Sequence, residues 1–563
     1  MFGFKYSMVQ LVVLLTWFLQ YYTFGFIILW YIVACGLSLA VVLTITTFDH
    51  DYWQLRGVFS PPAWPIVGHI LSVVMFKEQG GMCFKRIYDT HKNLKFLGTH
   101  QFYQRTLVVR DPELIRRVCV NDFQHFTDRG FFFNKDVDPL AGSVLFLRGN
   151  EWKKLRAKIS PIFSPNKLRA MYPLIATTAD EFVTRVKTIL SQPKSATNHG
   201  ATEPPVCKSN DVEVNSSVVN SEKLVGGYTA DAIVPCAFGL KSNVMYNEED
   251  PFAVALHAFY EMTLFNIFEK TMRQFWPAFV LFFRMRIIPK KTHDFFYNIV
   301  TSVLRAREKG VQEKRGDFID MMMVLRNDDT NNNSKKDLED VEITDMVISA
   351  NAFIIFLGGF ETTSSTLAFL FLELAAHQQV QEKMRSEIHE VLEKHDGKIT
   401  YEVLQELVYM EMVIQETLRL YPPFPSIQRL CTKDYTIPGT KVVVEKGTIV
   451  LFPTLGIQRD EQYFEHASAF IPERWSEGRP QPPPGVYMPF GDGPRYCIGK
   501  RFAMIQMKCC LVTLLQHIRL SPAPQANKLG EPLVQPRTEP FTADPRSPLT
   551  LHPADSLVTL SLL

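Results

Sequence analysis

No two of the nine cysteines in this 563-residue chain form a C-x-x-C pair, and their spacing is irregular. That excludes a zinc ribbon and a disulfide framework and fits a reducing compartment. A charge surplus is missing too. Lys and Arg number 60 against 58 Asp and Glu, a net charge of +2, so nothing marks a nucleic acid as partner. There is no internal repeat. With 46% hydrophobic residues, the composition excludes a disordered chain and suits a large core.

The most telling absence is at the N-terminus, where Tyr6 to Phe48 holds no charged side chain. The stretch is too long and too apolar for a cleavable signal peptide and reads as a membrane anchor. A span takes about 20 residues. The segment therefore fits one helix over 24–45 or, with 8–22 as a first span, a two-helix hairpin. Asp49 and Asp51 follow it where a single span calls for Lys or Arg, and Lys5 precedes it. Both topologies stay open. The prolines of SPPAWPIVGHI, residues 60–70, cannot continue a helix and suggest a stiff link. The expected division is an anchor over 1–48, a linker over 49–65 and one large domain over 66–563.

Apolar residues recur at three- and four-residue spacing over 150–157, 174–190, 292–310, 338–376, 379–394, 400–420 and 501–517, and each run predicts a helix. Strand-like pieces are short: 107–109, 442–444, 448–452 and the tail 549–563. The expected fold is mainly α with small β-sheets. Two polar stretches, 192–210 and 327–337 (NDDTNNNSKKD), supply no core and read as surface loops.

Cys35, Cys83, Cys119, Cys207, Cys236, Cys431, Cys509 and Cys510 read as ordinary core residues. Cys497 differs. It lies in MPFGDGPRYCIGKRFA, residues 488–503, where Gly491, Gly493 and Pro494 enforce a tight turn ahead of a helical pattern. The amides of such a turn and the helix N-terminus favour thiolate over thiol. A thiolate held this way is a nucleophile or a metal ligand. A nucleophile wants a histidine base, and the nearest in the chain, His466 and His517, sit in no motif. The ligand reading is preferred.

The pattern Phe490-x-x-Gly493-x-Arg495-x-Cys497-x-Gly499 resembles the haem-binding signature of the cytochrome P450 family, in which a cysteine thiolate holds the haem iron. Three further motifs follow the family's chain order. LGGFETT, residues 357–363, resembles its oxygen-activating helix, with Gly358 and Gly359 letting the backbone open beside the haem, then the acid Glu361 and the alcohol Thr362. Glu416-Thr417-Leu418-Arg419, ahead of Tyr421-Pro422-Pro423, resembles the Glu-x-x-Arg pair. FIPERW, residues 470–475, resembles the segment that adds a second arginine, Arg474, with Trp475 where phenylalanine is commoner. Singly, each has a bland reading: a solvated ion pair, a threonine bonded to its own turn, a glycine packing contact. In order, and ending in the cysteine motif, they point one way.

The resemblance implies the cytochrome P450 fold with an N-terminal transmembrane anchor and haem b with Cys497 as axial ligand. Phe490 shields the sulfur. Arg495, Trp152 and Arg156 in NEWKKLRAKISP, Arg429 in SIQRLC and Arg129 in FTDRG serve as propionate contacts. It implies a monooxygenase in which R–H, O2 and two electrons give R–OH and water, with Thr362 and Glu361 as the catalytic alcohol and acid. NADPH–cytochrome P450 reductase is the implied electron donor, with cytochrome b5 as a second, docking on Lys153, Lys154, Lys158, Lys500 and Arg501. The substrate is a lipophilic small molecule. The place is the endoplasmic reticulum membrane with the domain on the cytosolic face, and FWPAFVLFFRMRIIPK, residues 275–290, reads as membrane-inserting. The nearest branch is the microsomal xenobiotic-oxidising one, insect type. Rival readings are a haem-thiolate isomerase or lyase that uses no O2, and a non-catalytic membrane haem or lipid carrier.

Overall fold

The computed structural model describes residues 16, 30–37, 40, 49–102, 104–191, 216–260, 282–286, 288–313, 315–331, 341–524, 540–547 and 550–563. The expected loop 192–210, most of the proposed anchor and half of the segment 275–290 lie outside the described residues, as does Cys207. Within the anchor, residues 30–37 are helical, and Trp30, Tyr31 and Leu37 lie exposed on the chain.

Five helices frame the site: α1 (Gly149–Ile159), α2 (Ser221–Phe238), α3 (Asp345–Ala376), α4 (Val408–Leu420) and α5 (Lys500–Leu515). Strands are short, as the sequence suggests. β1 (Phe96–Gln101) and β2 (Gln104–Val109) form a hairpin, while β3 (Ser216–Asn220), β4 (Ile427–Leu430), β5 (Ile449–Phe452), β6 (Ile518–Pro522) and β7 (Leu557–Leu562) complete two sheets. One sheet runs β1-β2-β5-β4, with β2 and β5 parallel. The other runs β3-β7-β6, all antiparallel.

At the centre is α3, apolar on nearly every side, which is why it is buried rather than amphipathic. It is the one described helix long and apolar enough to cross a membrane, and half of its most apolar window is buried inside the protein. The periodicity suggests a start at 338, but Thr344 is the N-cap, its Oγ1 accepting from the Val347 N–H at 3.3 Å, and residues 341–344 are not helical. From Leu367 to Leu374 the helix is wholly inside. Between Ile354 and Thr362 its burial opens, with Gly358 the most exposed point. A β-carbon at Gly358 would meet nothing within 4 Å, whereas one at Gly359 would sit 2.8 Å from Ile233 of α2. So only the first glycine faces the opening. The second lets two helices touch.

Other expectations shift for local reasons. The run 400–420 is two helices, Tyr401–Glu406 and α4, broken at Leu407, where Glu387 from a neighbouring helix accepts the Tyr409 and Met410 N–H groups. Residues 327–331 extend the helix Phe318–Asn331 rather than starting a loop. Polar residues on a solvated face do not stop a helix already anchored by packing. Residues 49–65, expected as linker, contribute Tyr52 and Trp53 to the core, and the Trp53 indole donates to the Thr99 carbonyl at 3.0 Å. Cys83, Cys119, Cys236, Cys431, Cys509 and Cys510 are buried and free, while Cys35 is exposed on its helix.

The two glycines give a clean test. Gly359→Ala gains up to about 1 kcal/mol of helix propensity but forces apart a buried contact at a cost of about 1–3 kcal/mol, so thermal unfolding of the haem-loaded protein should occur earlier. Gly358→Ala meets no such contact and should unfold at an equal or higher temperature.

Candidate active site

Cys497 sits between a short 3-10 turn, Gly493–Arg495, and α5. The loop is closed by its own backbone. The Cys497 N–H donates to the Phe490 carbonyl at 2.8 Å and the Tyr496 N–H to Gly493 at 2.9 Å. Gly493 has φ +69° and lies so close to the Cys119 carbonyl that a β-carbon would sit 1.8 Å from that oxygen. Glycine is required there twice over, by conformation and by space. Phe490 is half-buried beside the sulfur loop.

The turn was expected to favour the thiolate. Burial works the other way and pushes the Cys497 thiol above its ordinary value, against the Gly499 N–H and the charges of Arg129, Arg156 and Lys500, which all pull it down. Those groups supply part of what an anion needs there. A cation at the sulfur would supply the rest.

All four predicted arginines converge behind this loop. Arg129 donates to the Arg495 carbonyl at 2.8 Å, Arg156 to the Tyr496 carbonyl at 3.1 Å and Arg429 to the Asp492 carbonyl at 3.3 Å. Arg495 donates to Thr127 and Leu147 carbonyls at 2.8 and 2.9 Å, and its guanidinium lies 3.7 Å from the centre of the Trp152 ring. Trp152 and Arg156 stand one turn apart on α1 and reach the same place, as their spacing predicts.

The cluster is short of negative charge. Among the described residues, Asp128 is the one acid that approaches Arg495, at 3.6 Å. Burial first, then mutual repulsion, pushes Arg129 down to about 9 and Arg495 down to about 8, and burial lowers Arg429 and Arg156 as well. Two buried guanidinium nitrogens, Arg495 Nη1 and Arg429 Nε, have no hydrogen-bond partner among the described residues. Guanidinium stays charged at neutral pH. The cluster is therefore built for anionic oxygens that the chain itself does not provide.

On α3, the Thr362 hydroxyl donates to the Gly358 carbonyl of its own turn at 2.7 Å, which leaves its lone pairs free to accept. Glu361 is engaged elsewhere. Its Oε1 accepts from Thr550 Oγ1 at 2.6 Å and lies 2.9 Å from His552 Nε2, and Tyr260 also bonds it. Thr550 and His552 carry no motif and were not foreseen. The only signal in the sequence is that the tail 549–563 reads as strand, which does not say what it packs against.

A family model described as "Cytochrome P450" matches residues 59–536. The chain belongs to the cytochrome P450 family. It is 32% identical to "Cytochrome P450 6B1" of Papilio polyxenes, with 85% of this chain and 90% of that protein covered. It is 33% identical to "Probable cytochrome P450 6a23" of Drosophila melanogaster, covering 86% and 92%. With "Cytochrome P450 6l1" of Blattella germanica the identity is 31%, over 87% and 91%. The relatives are insect proteins, and the chain is a cytochrome P450 monooxygenase. P450s hold a haem through a cysteine thiolate. The residues present fit that group: a loop cysteine that needs a cation, and unneutralised guanidinium groups for two propionates.

In this P450 the Glu416 carboxylate is fully buried and saturated. Arg419 grips it through Nε and Nη2 at 2.9 and 2.8 Å, and Arg474 Nε, the Trp475 indole and the Ile471 N–H reach it at 3.0, 3.0 and 2.9 Å. Trp475 is thus a working donor, and its ring lies 4.5 Å from that of Tyr487. Arg419 in turn donates to the Gln458, Ala467 and Ala469 carbonyls. Gln458 Oε1 then accepts the Met488 N–H at 2.9 Å, at the threshold of the cysteine loop.

Glu416→Gln should leave Arg419 buried without its counter-charge and cost about 3–5 kcal/mol, read as collapse in the yield of folded, haem-loaded protein. Trp475→Phe keeps the ring and loses one charge-assisted hydrogen bond, so thermal unfolding should register a loss of about 1–3 kcal/mol.

Proposed function

We propose that this monooxygenase inserts one atom of O2 into a lipophilic small molecule, with electrons from NADPH delivered by NADPH–cytochrome P450 reductase. The supporting observation is the uncompensated positive charge of Arg129, Arg156, Arg429 and Arg495 behind the Cys497 loop. Cys497 is the proposed iron ligand. Arg495, Arg156, Trp152, Arg429 and Arg129 hold the propionates, and Phe490 shields the sulfur. When bound, haem with a thiolate ligand supplies the oxygen chemistry, the sulfur pushing electron density to favour O–O cleavage.

The chain's own residues position and move protons. Thr362, its hydroxyl proton on the Gly358 carbonyl, offers lone pairs to a water in the opening. Glu361 is the acid one residue away, a positioned proton donor and acceptor. Lys153 and Lys500 are exposed, Lys154 half-exposed, and with Lys158 and Arg501 they surround the thiolate side, a cationic face suited to an acidic flavoprotein or to cytochrome b5. We place residues 1–48 as membrane anchor, 49–65 as a link that packs Tyr52 and Trp53 into the domain core, and 66–563 as the catalytic domain, on the cytosolic face of the endoplasmic reticulum.

The reduced, carbon-monoxide-bound difference spectrum of the purified protein should be of the thiolate type and should lose that character in Cys497→Ala. NADPH-dependent turnover of a lipophilic compound in the presence of reductase should follow. A thiolate spectrum without such turnover would favour the isomerase or lyase, and no thiolate spectrum would favour a carrier. The sequons at Asn215 and Asn332 should give no glycosidase-sensitive gel shift, because a cytosolic domain never meets the glycosylation machinery.

A further inference from the structure

Outside the haem-facing residues, one histidine sits between two acids: His552, in the loop that leads into β7. The loop threads between two helices that carry acids. Its Leu551 carbonyl accepts from the Ser365 hydroxyl of α3, and the Ser221 N–H that opens α2 donates to the Ser556 carbonyl at 2.7 Å. β7 pairs with β3, whose end leads directly into α2 and so brings Glu222 to the same spot.

The imidazole therefore sits between two carboxylates. Nε2 lies 2.9 Å from Glu361 Oε1 and from Thr550 Oγ1. Nδ1 lies 2.8 Å from Glu222 Oε1, angled off the N–H direction, so that side is a charge contact rather than a linear hydrogen bond. Side-chain exposure runs 38% at Glu222, 13% at His552 and 13% at Glu361. A line of groups thus leads from the surface to the acid of the oxygen helix. Among the described side chains at the pair, Thr550 and Tyr260 donate to Glu361, Thr550 also meets His552 Nε2, and neither carries a positive charge.

We propose that His552, clamped between Glu222 and Glu361, is a positioning residue for the acid beside Thr362, fixing where its carboxylate points and keeping it anionic between turnovers. This rests on the role proposed above for Glu361. Burial works against a charge on His552, but the contacts and charges of Glu222 and Glu361 outweigh it and push the imidazole up to about 10. For Glu361, burial alone would raise the carboxyl, yet His552, Thr550 and Tyr260 together hold it below the usual range. The imidazolium and the carboxylate stabilise each other at neutral pH.

The sign for stability follows from linkage. His552 binds its proton more tightly folded than unfolded, so its contribution is full below pH 6.5, the unfolded value, and is lost as pH rises toward 10. The test uses haem-loaded full-length protein as wild type, His552→Gln, His552→Phe, Glu222→Gln and Glu361→Gln. One readout is the thermal unfolding temperature from pH 7 to 10. The other is the share of NADPH electrons released as hydrogen peroxide rather than product across the same pH range.

Wild type should lose thermal stability on going from pH 7 to 10, and both His552 variants should flatten that fall. His552→Phe should raise the peroxide share several-fold, with His552→Gln, which keeps a donor, restoring part of the coupling. Glu222→Gln, at the exposed end, should act in the same direction more weakly and move the loss of coupling to lower pH. If the His552 variants match wild type in peroxide share while Glu361→Gln does not, the positioning role is wrong and the acid's role stands. If Glu361→Gln also leaves the share unchanged, the acid's role itself fails and any change in the unfolding slope marks a purely structural bridge.

Discussion

A fully buried carboxylate, Glu416, is the fixed point of this protein. Taking one anion and its arginine partner out of water costs several kcal/mol per ion, and the fold meets that cost by giving every lone pair of the acid a donor. Arg419 answers from the same helix, Arg474 and Trp475 from the turn Pro472–Trp475, and the Ile471 amide from the approach to it. Because Arg419 also holds three carbonyls of the segment 458–469, one ion pair fastens two distant stretches of chain. Gln458 passes the constraint on to Met488, where the cysteine loop begins.

The loop that this pair supports has the opposite electrostatic character. Glu416 is neutralised within the protein, whereas the four arginines behind Cys497 repel one another. Their hydrogen bonds to the Asp492, Arg495 and Tyr496 carbonyls shape the loop from outside while leaving charge over. A saturated anion on one side and an unsatisfied cationic cradle on the other divide the labour: one makes the scaffold rigid, and the other gives it something to bind.

Much of this was legible in the sequence because it is local. The glycines around Cys497, the one-turn spacing of Trp152 and Arg156, and the three-residue spacing of Glu416 and Arg419 all fix geometry within a few residues. What the sequence withheld is what depends on partners far away. β4 was missed because its buried residue is Arg429 rather than an aliphatic one, and β1 because it carries Gly98, packed against Trp53, and the buried His100. The break at Leu407 depends on Glu387 from another helix. Gly358 and Gly359 look equivalent as letters, and only the position of Ile233 separates them. Trp475 could be noticed as a departure, but its bond to Glu416 could not.

The contact between His552 and Glu361 spans 191 residues of chain. At synthesis rates of about 5–20 residues per second, the acid leaves the ribosome roughly 10–40 s before its cation exists. Through that interval α3 can pack on α2 by apolar contacts alone, with Glu361 left to water. The central helix is thus made well before the cation that holds its acid, and the pairing waits on the last stretch of chain.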